Sequence, residues 1–266
     1  MPDDVVHTQL IEEWPQQRVP VNLKLPKEAR RVLDQAPSVS FAATIQDLED
    51  LACGGKDNLQ WTVAYALPDG REVLETDVVR VRNGISANYF DPYMRRRDPD
   101  CMVVADSSPS DKPRFHERYG CAFDKVRQET FDWLAGQDLA VFAFEMGSLG
   151  LGGDGVAICP ANASFFAFGL GLLQGVIDLQ QIDRPFEPGF IIYVAPTFRH
   201  THFDGRQVVV HNRLKVHEMF SYNLYPGPSA KKGVYGALIE MGVQQNWVTA
   251  HCSAAQVVTP YDNIVS

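Results

Sequence analysis

The chain has no apolar run long enough to cross a membrane. A membrane-spanning helix needs about 18 or more consecutive apolar residues, whereas the nearest stretch, Ala163–Ile177, is shorter and rich in glycine. We interpret it as a buried helix. The first fifteen residues lack the apolar centre of a signal peptide and contain four acids: Asp3, Asp4, Glu12 and Glu13. We therefore expect no membrane partner.

Positive charge is scarce. The 24 Lys and Arg residues are outnumbered by 33 Asp and Glu residues, which gives a net charge of −9. Nucleic-acid-binding proteins depend on positive charge to displace counterions from phosphates. The single basic run, Arg95–Arg97, is followed at once by Asp98 and Asp100, a pattern typical of a solvated loop. We expect no nucleic-acid partner.

Cysteine is rare and irregularly placed. The five cysteines are odd in number, widely separated and without CxxC spacing: Cys53, Cys101, Cys121, Cys159 and Cys252. Such residues are typically free thiols of a protein in a reducing compartment. The sequence therefore predicts a cytoplasmic protein without structural disulfides.

What the chain does contain is enough apolar sequence for a large core, with 45% hydrophobic residues in 266. Strand-like and helix-like segments alternate after Cys101, which predicts an α/β fold with a mixed sheet flanked by helices. We assign residues 101–266 to this main domain. Residues 1–100 are predicted to form an N-terminal arm, short helices and a hairpin that pack on it.

The predicted elements have recognisable local signals. Pro26 precedes a helix over Lys27–Gln35, and Thr44 with Asp47 opens a second helix. A hairpin surrounds the turn at 68–70. Continuous apolar runs predict strands covered on both faces, and further strands and helices complete the domain: Cys101–Ala105, Ala122–Leu134, Leu139–Phe144, Val156–Cys159, Phe190–Ala195, Val208–His211, Ser229–Gln244 and Trp247–Cys252.

Two segments invite a ligand-site interpretation that their surroundings do not favour. Gly147–Gly155 is glycine-rich, but it leads into a predicted strand and has no lysine, unlike a phosphate-binding loop. His200 and His202 would share one face of a strand. A zinc site would also need a third ligand, for which nearby choices are His211, His217 and Glu218. The flanking Pro196 and Asp204 favour a turn instead.

The most informative segment is Tyr225–Gly233, which ends in Lys231-Lys232-Gly233. His251-Cys252-Ser253-Ala254 begins nineteen residues after Lys232. Two lysines in the first turn of a helix oppose the helix dipole, which is the arrangement that an anion or metal–anion site needs. Two exposed lysines and a core histidine are the alternative interpretation.

This pattern resembles the ATP-dependent phosphoenolpyruvate carboxykinases, and the similarity extends over roughly Cys101 to Ala255. Ser108–Lys112 and Glu129–Leu134 are similar to upstream segments of that family. The resemblance implies that Lys232 and His251 are catalytic residues that bind Mn²⁺ or Mg²⁺. It further implies that a small carboxylate, such as oxaloacetate or phosphoenolpyruvate, is bound by Tyr225 and Lys231. Arg114, Arg118 or one of Arg95–Arg97 would have to replace a family arginine that binds this carboxylate, and we choose Arg114 as the candidate.

The chain also departs from that family. Ser107 replaces the arginine that binds the substrate carboxylate, Ala255 replaces an asparagine, and Ser266 falls where the ATP-binding P-loop domain would begin. We therefore expect the N-terminal, metal-binding half of a carboxykinase-like lyase of gluconeogenesis, incomplete without a C-terminal P-loop domain as partner. Two alternatives stay open: a non-catalytic module that binds a small carboxylate or a protein, and half of a kinase with another acceptor.

Overall fold

The structure, a computed structural model, describes most of the chain after residue 18. The described ranges are 19–55, 58–66, 69–82, 85–89, 101–146, 153–196, 203, 208–222, 228–248, 256–258 and 263–265. The helices are α1 (Lys27–Gln35), α2 (Ile45–Ala52), α3 (Phe115–Tyr119), α4 (Phe123–Leu134), α5 (Ser164–Gln174) and α6 (Pro228–Gln244). Across these ranges, no helix has both the length and the apolar character to cross a membrane.

Seven strands form the main sheet and five others form two small sheets. The main-sheet strands are β1 (Val39–Ala42), β5 (Met102–Val104), β6 (Leu139–Met146), β7 (Gly153–Pro160), β8 (Phe190–Ala195), β9 (Val208–Arg213) and β10 (His217–Tyr222). The others are β2 (Gln60–Ala66), β3 (Glu72–Arg80), β4 (Ser86–Tyr89), β11 (Gln256–Val258) and β12 (Asn263–Val265).

The main sheet is mixed, with the strand order β1-β6-β7-β8-β10-β9-β5. The pairs β6–β7 and β9–β10 are antiparallel and the remaining pairs are parallel. Side chains of α2, α5 and α6 pack on one face, and those of α1, α3 and α4 pack on the other. The predicted α/β class, with a mixed sheet between helices, is confirmed.

Local signals placed several elements correctly. The helix α1 has the predicted bounds, and Thr44 caps α2 by accepting a hydrogen bond from the backbone N of Asp47 at 3.1 Å. The carboxylate of Asp47 accepts one in return from the backbone N of Thr44 at 2.9 Å, which completes a capping box. The predicted hairpin is β2–β3, and the glycine-rich segment joins the antiparallel strands β6 and β7 as expected.

Residues 39–42 differ from the predicted domain division. Although they lie in the N-terminal hundred residues, they form strand β1, which pairs in parallel with β6 from Val39↔Leu139 to Ala42↔Phe142. This strand is an edge of the main sheet and not part of an appendage packed on it. Four residues are too few to display a clear alternation, so its identity comes from pairing with a distant strand.

Strand β10 was not predicted, because polar residues interrupt its apolar pattern. His217, Glu218 and Ser221 lie within it, yet Glu218 and Ser221 are buried. The strand predicted over Trp247–Cys252 is not formed at its start, where Trp247 and Val248 are exposed and irregular. The rest of that segment lies outside the described residues.

Candidate functional site

A cavity of about 640 Å³ lies between helix α6 and the β5–β9–β10 end of the main sheet. Its walls come from these three strands or their ends, from the loop after β5 and from α6. The lining residues are Met102, Val104, Pro109, Ser110, Asp111, Lys112, His211, Arg213, His217, Tyr235, Gly236, Ile239 and Glu240. The mixture of apolar, basic, acidic and imidazole groups is what a site for a small polar ligand requires.

Two histidines meet at this cavity. His211 on β9 and His217 on β10 occupy diagonal positions of an antiparallel pair, since His211 lies opposite Met219. The distance from Nδ1 of His211 to Nε2 of His217 is 2.9 Å, a hydrogen bond. Burial, followed by the charge of Arg213, lowers the pKa of His217 to about 4. Burial is also the main reason that the pKa of His211 falls to about 3, so both rings are neutral at pH 7.

Arg213 anchors the loop that follows β5. Its guanidinium contacts the carboxylate of Asp106, with Nη2–Oδ1 at 3.0 Å and Nε–Oδ2 at 3.1 Å. It also donates hydrogen bonds to the backbone oxygens of Ser108 and Pro109, each at 2.9 Å. Burial raises the pKa of Asp106, but hydrogen bonds from Arg213 and Ser108 outweigh it and hold that pKa well below its usual range. This arginine therefore fixes one wall of the cavity.

Arg114, which was predicted to bind substrate, forms hydrogen bonds with the backbone of the same loop. It lies immediately before α3, and its guanidinium donates hydrogen bonds to the backbone oxygens of Asp106 and Ser108. Arginine is suited to this role because its fork of N–H donors can satisfy two acceptors at once. The structure thus places Arg114 behind the Asp106–Pro109 segment, as a support for the cavity wall.

The other predicted site residues are only partly described. Helix α6 begins at Pro228, one residue before the predicted Ser229, so Lys231 and Lys232 are its fourth and fifth residues, and the Lys232 backbone is one turn before Gly236 in the cavity wall. The side chains of both lysines lie outside the described residues, as do Tyr225 and His251.

The structure describes only some of the residues that were considered for a zinc site. His200 and His202 lie outside the described residues. His217 and Glu218 are neighbours on β10 and so point to opposite faces of the sheet. Glu218 accordingly binds Arg127 on the face away from the cavity. In the part of the chain that the structure describes, no group of three His, Cys, Asp or Glu side chains could hold a metal ion.

Helix α6 approaches the sheet through glycines. The α-carbon of Gly233 faces the buried side chain of Met219 so closely that a Cβ would overlap Sδ. One turn later, a Cβ on Gly236 would lie 3.5 Å from Cε1 of His211, an ordinary contact distance. These glycines let the helix backbone form the roof of the cavity above the histidine pair.

Comparison with known proteins identified one protein family, and its matched region contains the helices and strands described above. The DUF4914 family, described as a domain of unknown function, matches residues 25–266. The chain belongs to the DUF4914 family. Comparison with curated proteins gave no match. Every residue that lines the cavity lies within the matched DUF4914 region.

Several residues of the DUF4914 cavity were not recognised from the sequence. His211 and His217 were considered only as partners for His200 and His202, and Asp106 and Arg213 were not considered at all. Asp106 and Arg213 are more than a hundred residues apart and meet only because β5 pairs with β9. A useful signal was present in the spacing of His211, Arg213 and His217, which a short hairpin brings to one face.

Proposed function

We propose that this chain forms the substrate- and metal-binding side of a carboxykinase-like enzyme. One observation supports the proposal most directly. Two segments that are far apart in the sequence border the same cavity. One is Ser108–Lys112, which carries part of the carboxykinase resemblance, and the other is α6, which contains Lys231 and Lys232 near its start and lines the cavity further on, between Tyr235 and Glu240. A small carboxylate, such as oxaloacetate or phosphoenolpyruvate, is the proposed ligand.

In this proposal, Lys232 and His251 bind Mn²⁺ or Mg²⁺, and Tyr225 and Lys231 bind the substrate. Lysine can bind a metal only as the neutral amine, so protonation opposes binding and metal affinity should fall as the pH is lowered. An amine and an imidazole leave most positions of such a cation open for substrate, water or another domain. When bound, the cation would stabilise negative charge that develops on the substrate.

The described residues support a site for an anion whose charged end lies toward Lys112. Lys112 lines the cavity on a half-exposed loop, and its Nζ lies 2.9 Å from the exposed carboxylate of Asp111. Solvent-exposed pairs of this kind contribute little stability, so a ligand carboxylate can replace Asp111 at small cost. The loop is held in place by hydrogen bonds from Arg213, which also lines the cavity, and from Arg114.

Phosphoryl transfer from ATP requires a P-loop domain, which we propose as the partner of this domain, in the same chain or another. We also propose a cytoplasmic location. Cys53, Cys101 and Cys159 are buried thiols, which fits a reducing compartment. Without the P-loop domain, we expect the 266-residue chain to bind ligand but to show no carboxykinase turnover.

The test is Mn²⁺ binding to the 266-residue chain, measured by electron paramagnetic resonance with and without phosphoenolpyruvate. We expect Lys232→Ala and His251→Ala to lose most Mn²⁺ binding, whereas Lys125→Ala should bind as the unmodified protein does. Lys125 is a suitable control because it is exposed on α4, on the other side of the sheet. Equal Mn²⁺ binding by all four proteins would contradict the proposed metal site.

The second candidate function is a non-catalytic module that binds a small carboxylate. The contacts of Arg114 favour this second function. Arg114 was the candidate to replace the family arginine that is missing at Ser107, but its guanidinium already donates hydrogen bonds to two backbone carbonyls. The same titration separates the two functions. A binding module should bind the carboxylate equally well without Mn²⁺ and in the Lys232→Ala protein. The enzyme half should bind it well only when Mn²⁺ and Lys232 are both present.

A further inference from the structure

The histidine pair connects the large cavity with a second, smaller one. That cavity, of about 140 Å³, is lined in part by His217, Arg213, Glu240 and Met241. His217 contributes to both cavities, whereas His211 contributes to the larger one alone. The hydrogen bond between Nδ1 of His211 and Nε2 of His217 therefore links a ring that lines only the larger cavity to a ring that lines both cavities.

The two rings leave one nitrogen each for other partners. Neutral imidazole has one N–H donor and one acceptor. If His211 donates to His217, Nε2 of His211 is an acceptor and Nδ1 of His217 is a donor. If His217 donates instead, both roles reverse. Among the described residues, neither of these two nitrogens has a further hydrogen-bond partner. Each nitrogen can therefore present a donor or an acceptor to a ligand, depending on which histidine donates the hydrogen bond within the pair.

The surroundings make this an uncharged surface. Arg213, whose charge acts on both rings, is paired with Asp106 at 3.0 Å and lies 3.5 Å from the carboxylate of Glu240. Both histidines stay neutral, for the reasons given above. Lys112 takes the ligand carboxylate in this site, and Lys215, at the smaller cavity, is exposed. A second anionic oxygen buried against the pair would therefore lack a positive partner of its own, which is costly. A keto or hydroxyl oxygen needs only a hydrogen bond.

We propose that His211 and His217 form a subsite that binds an uncharged oxygen of the ligand, namely a keto or hydroxyl oxygen, while the ligand carboxylate lies toward Lys112. The assignment of this cavity as the ligand site rests on the proposed function, but the role of the pair does not depend on carboxykinase chemistry. The ring edge of His211 that carries Nε2 lies beside Gly236 in the wall of the large cavity, so we place the oxygen at this nitrogen. A keto oxygen can only accept, so at this position it selects the arrangement in which Nε2 of His211 and Nε2 of His217 carry the protons. The positions of the protons on the two rings therefore show whether an accepting oxygen is bound.

Nuclear magnetic resonance of the full chain with ¹⁵N-labelled histidine tests this directly. The probes are pyruvate, with a keto oxygen, glycolate, with a hydroxyl, and acetate, which has neither. We expect pyruvate to shift both rings to the Nε2–H tautomer and to bind about tenfold more tightly than acetate, as one additional hydrogen bond in a buried site predicts. Glycolate should also bind more tightly than acetate, with either tautomer.

The variants His211→Phe and His217→Gln identify the signals and test the preference. His211→Phe removes the nitrogen that meets the keto oxygen, so it should lose the tenfold discrimination between pyruvate and acetate. The amide of His217→Gln can still donate to Nδ1 of His211, so this variant should retain the discrimination, as should His116→Gln at an exposed position. Binding of pyruvate with unchanged histidine signals would overturn the subsite and leave the proposed function intact. Failure of all three acids and of phosphoenolpyruvate to bind would overturn both.

Discussion

Arg127 on α4 and Glu218 on β10 form a buried, two-pronged salt bridge on the sheet face opposite the cavity. Nε–Oε2 is 2.7 Å and Nη2–Oε1 is 2.6 Å, with side-chain exposures of 15% and 3%. Asn212 also donates to Glu218 at 2.9 Å. Because Glu218 and His217 are consecutive in β10, this bond also fixes the strand that carries half of the histidine pair.

Breaking this salt bridge from one side should strongly destabilise the protein. We expect Glu218→Leu to reduce the free energy of unfolding by about 3–5 kcal/mol, because it leaves a largely buried guanidinium with only the more distant, half-exposed carboxylate of Glu28, at 3.9 Å. Combining it with Arg127→Met should recover much of the loss. Chemical denaturation measures both. The exposed pair Lys125–Glu129, at 3.9 Å, is the control, and Glu129→Ala should cost less than about 1 kcal/mol.

The histidine pair should make stability decrease below pH 6.5. Both pKa values are lower in the folded chain, about 3 and about 4, than the usual 6.5. The unfolded chain therefore binds more protons in this window, and stability that is fully present above pH 6.5 is lost as the pH falls toward 3. The slope is up to about 1.4 kcal/mol per pH unit for each histidine.

Denaturation at pH 7, 6 and 5 checks this slope. The double variant His211→Gln, His217→Gln should have a flatter dependence over that range than the unmodified protein. His116→Gln should not, because His116 is exposed. A double variant whose stability falls as steeply as that of the unmodified protein would show that other groups dominate the acid sensitivity.

Two glycines of α6 should respond differently to alanine. At Gly233, the new methyl group overlaps Sδ of Met219, so we expect overpacking to cost about 1–3 kcal/mol and to move α6 away from β10. At Gly236, the nearest atom is 3.5 Å away, so the gain in helix propensity of up to about 1 kcal/mol should prevail. Thermal unfolding compares the two variants. Equal effects would argue against the close approach at Gly233.

Removal of Asp106 should release the loop that forms the cavity wall. Its carboxylate accepts hydrogen bonds from the backbone N of Ser108 at 2.8 Å and of Arg213 at 2.7 Å, besides binding the Arg213 guanidinium. We expect Asp106→Ala to speed amide hydrogen exchange in residues 106–112 by at least about tenfold, since bonds to a charged group contribute about 1.5–3 kcal/mol each.

The control for that measurement is Asp111→Ala in the same loop. Asp111 is exposed and pairs with Lys112 alone among the described contacts of its side chain. We expect its substitution to leave hydrogen exchange at Ser108 unchanged. If both variants exchange at the same rate as the unmodified protein, Asp106 is not what holds the loop.

Much of the fold was determined by local sequence. The capping box at Thr44 and Asp47, the β2–β3 hairpin and the apolar runs of β6, β7 and β8 follow from signals within their own segments. Composition and spacing were therefore sufficient to predict α1, α2, α4, α5 and α6, the strands β6, β7 and β8 and the α/β class, whereas the short helix α3 was not predicted.

Only the tertiary structure decided where β1 pairs, that β10 exists and which polar residues surround the cavity. Strand β1 owes its position to β6, about a hundred residues away, and β10 contains polar residues whose partners come from distant elements. The sequence does not show that Asp106 meets Arg213 or that His211 meets His217. Their chemistry depends on burial and on placement at hydrogen-bonding distance across paired strands, and these are properties of the assembled sheet and not of any local segment.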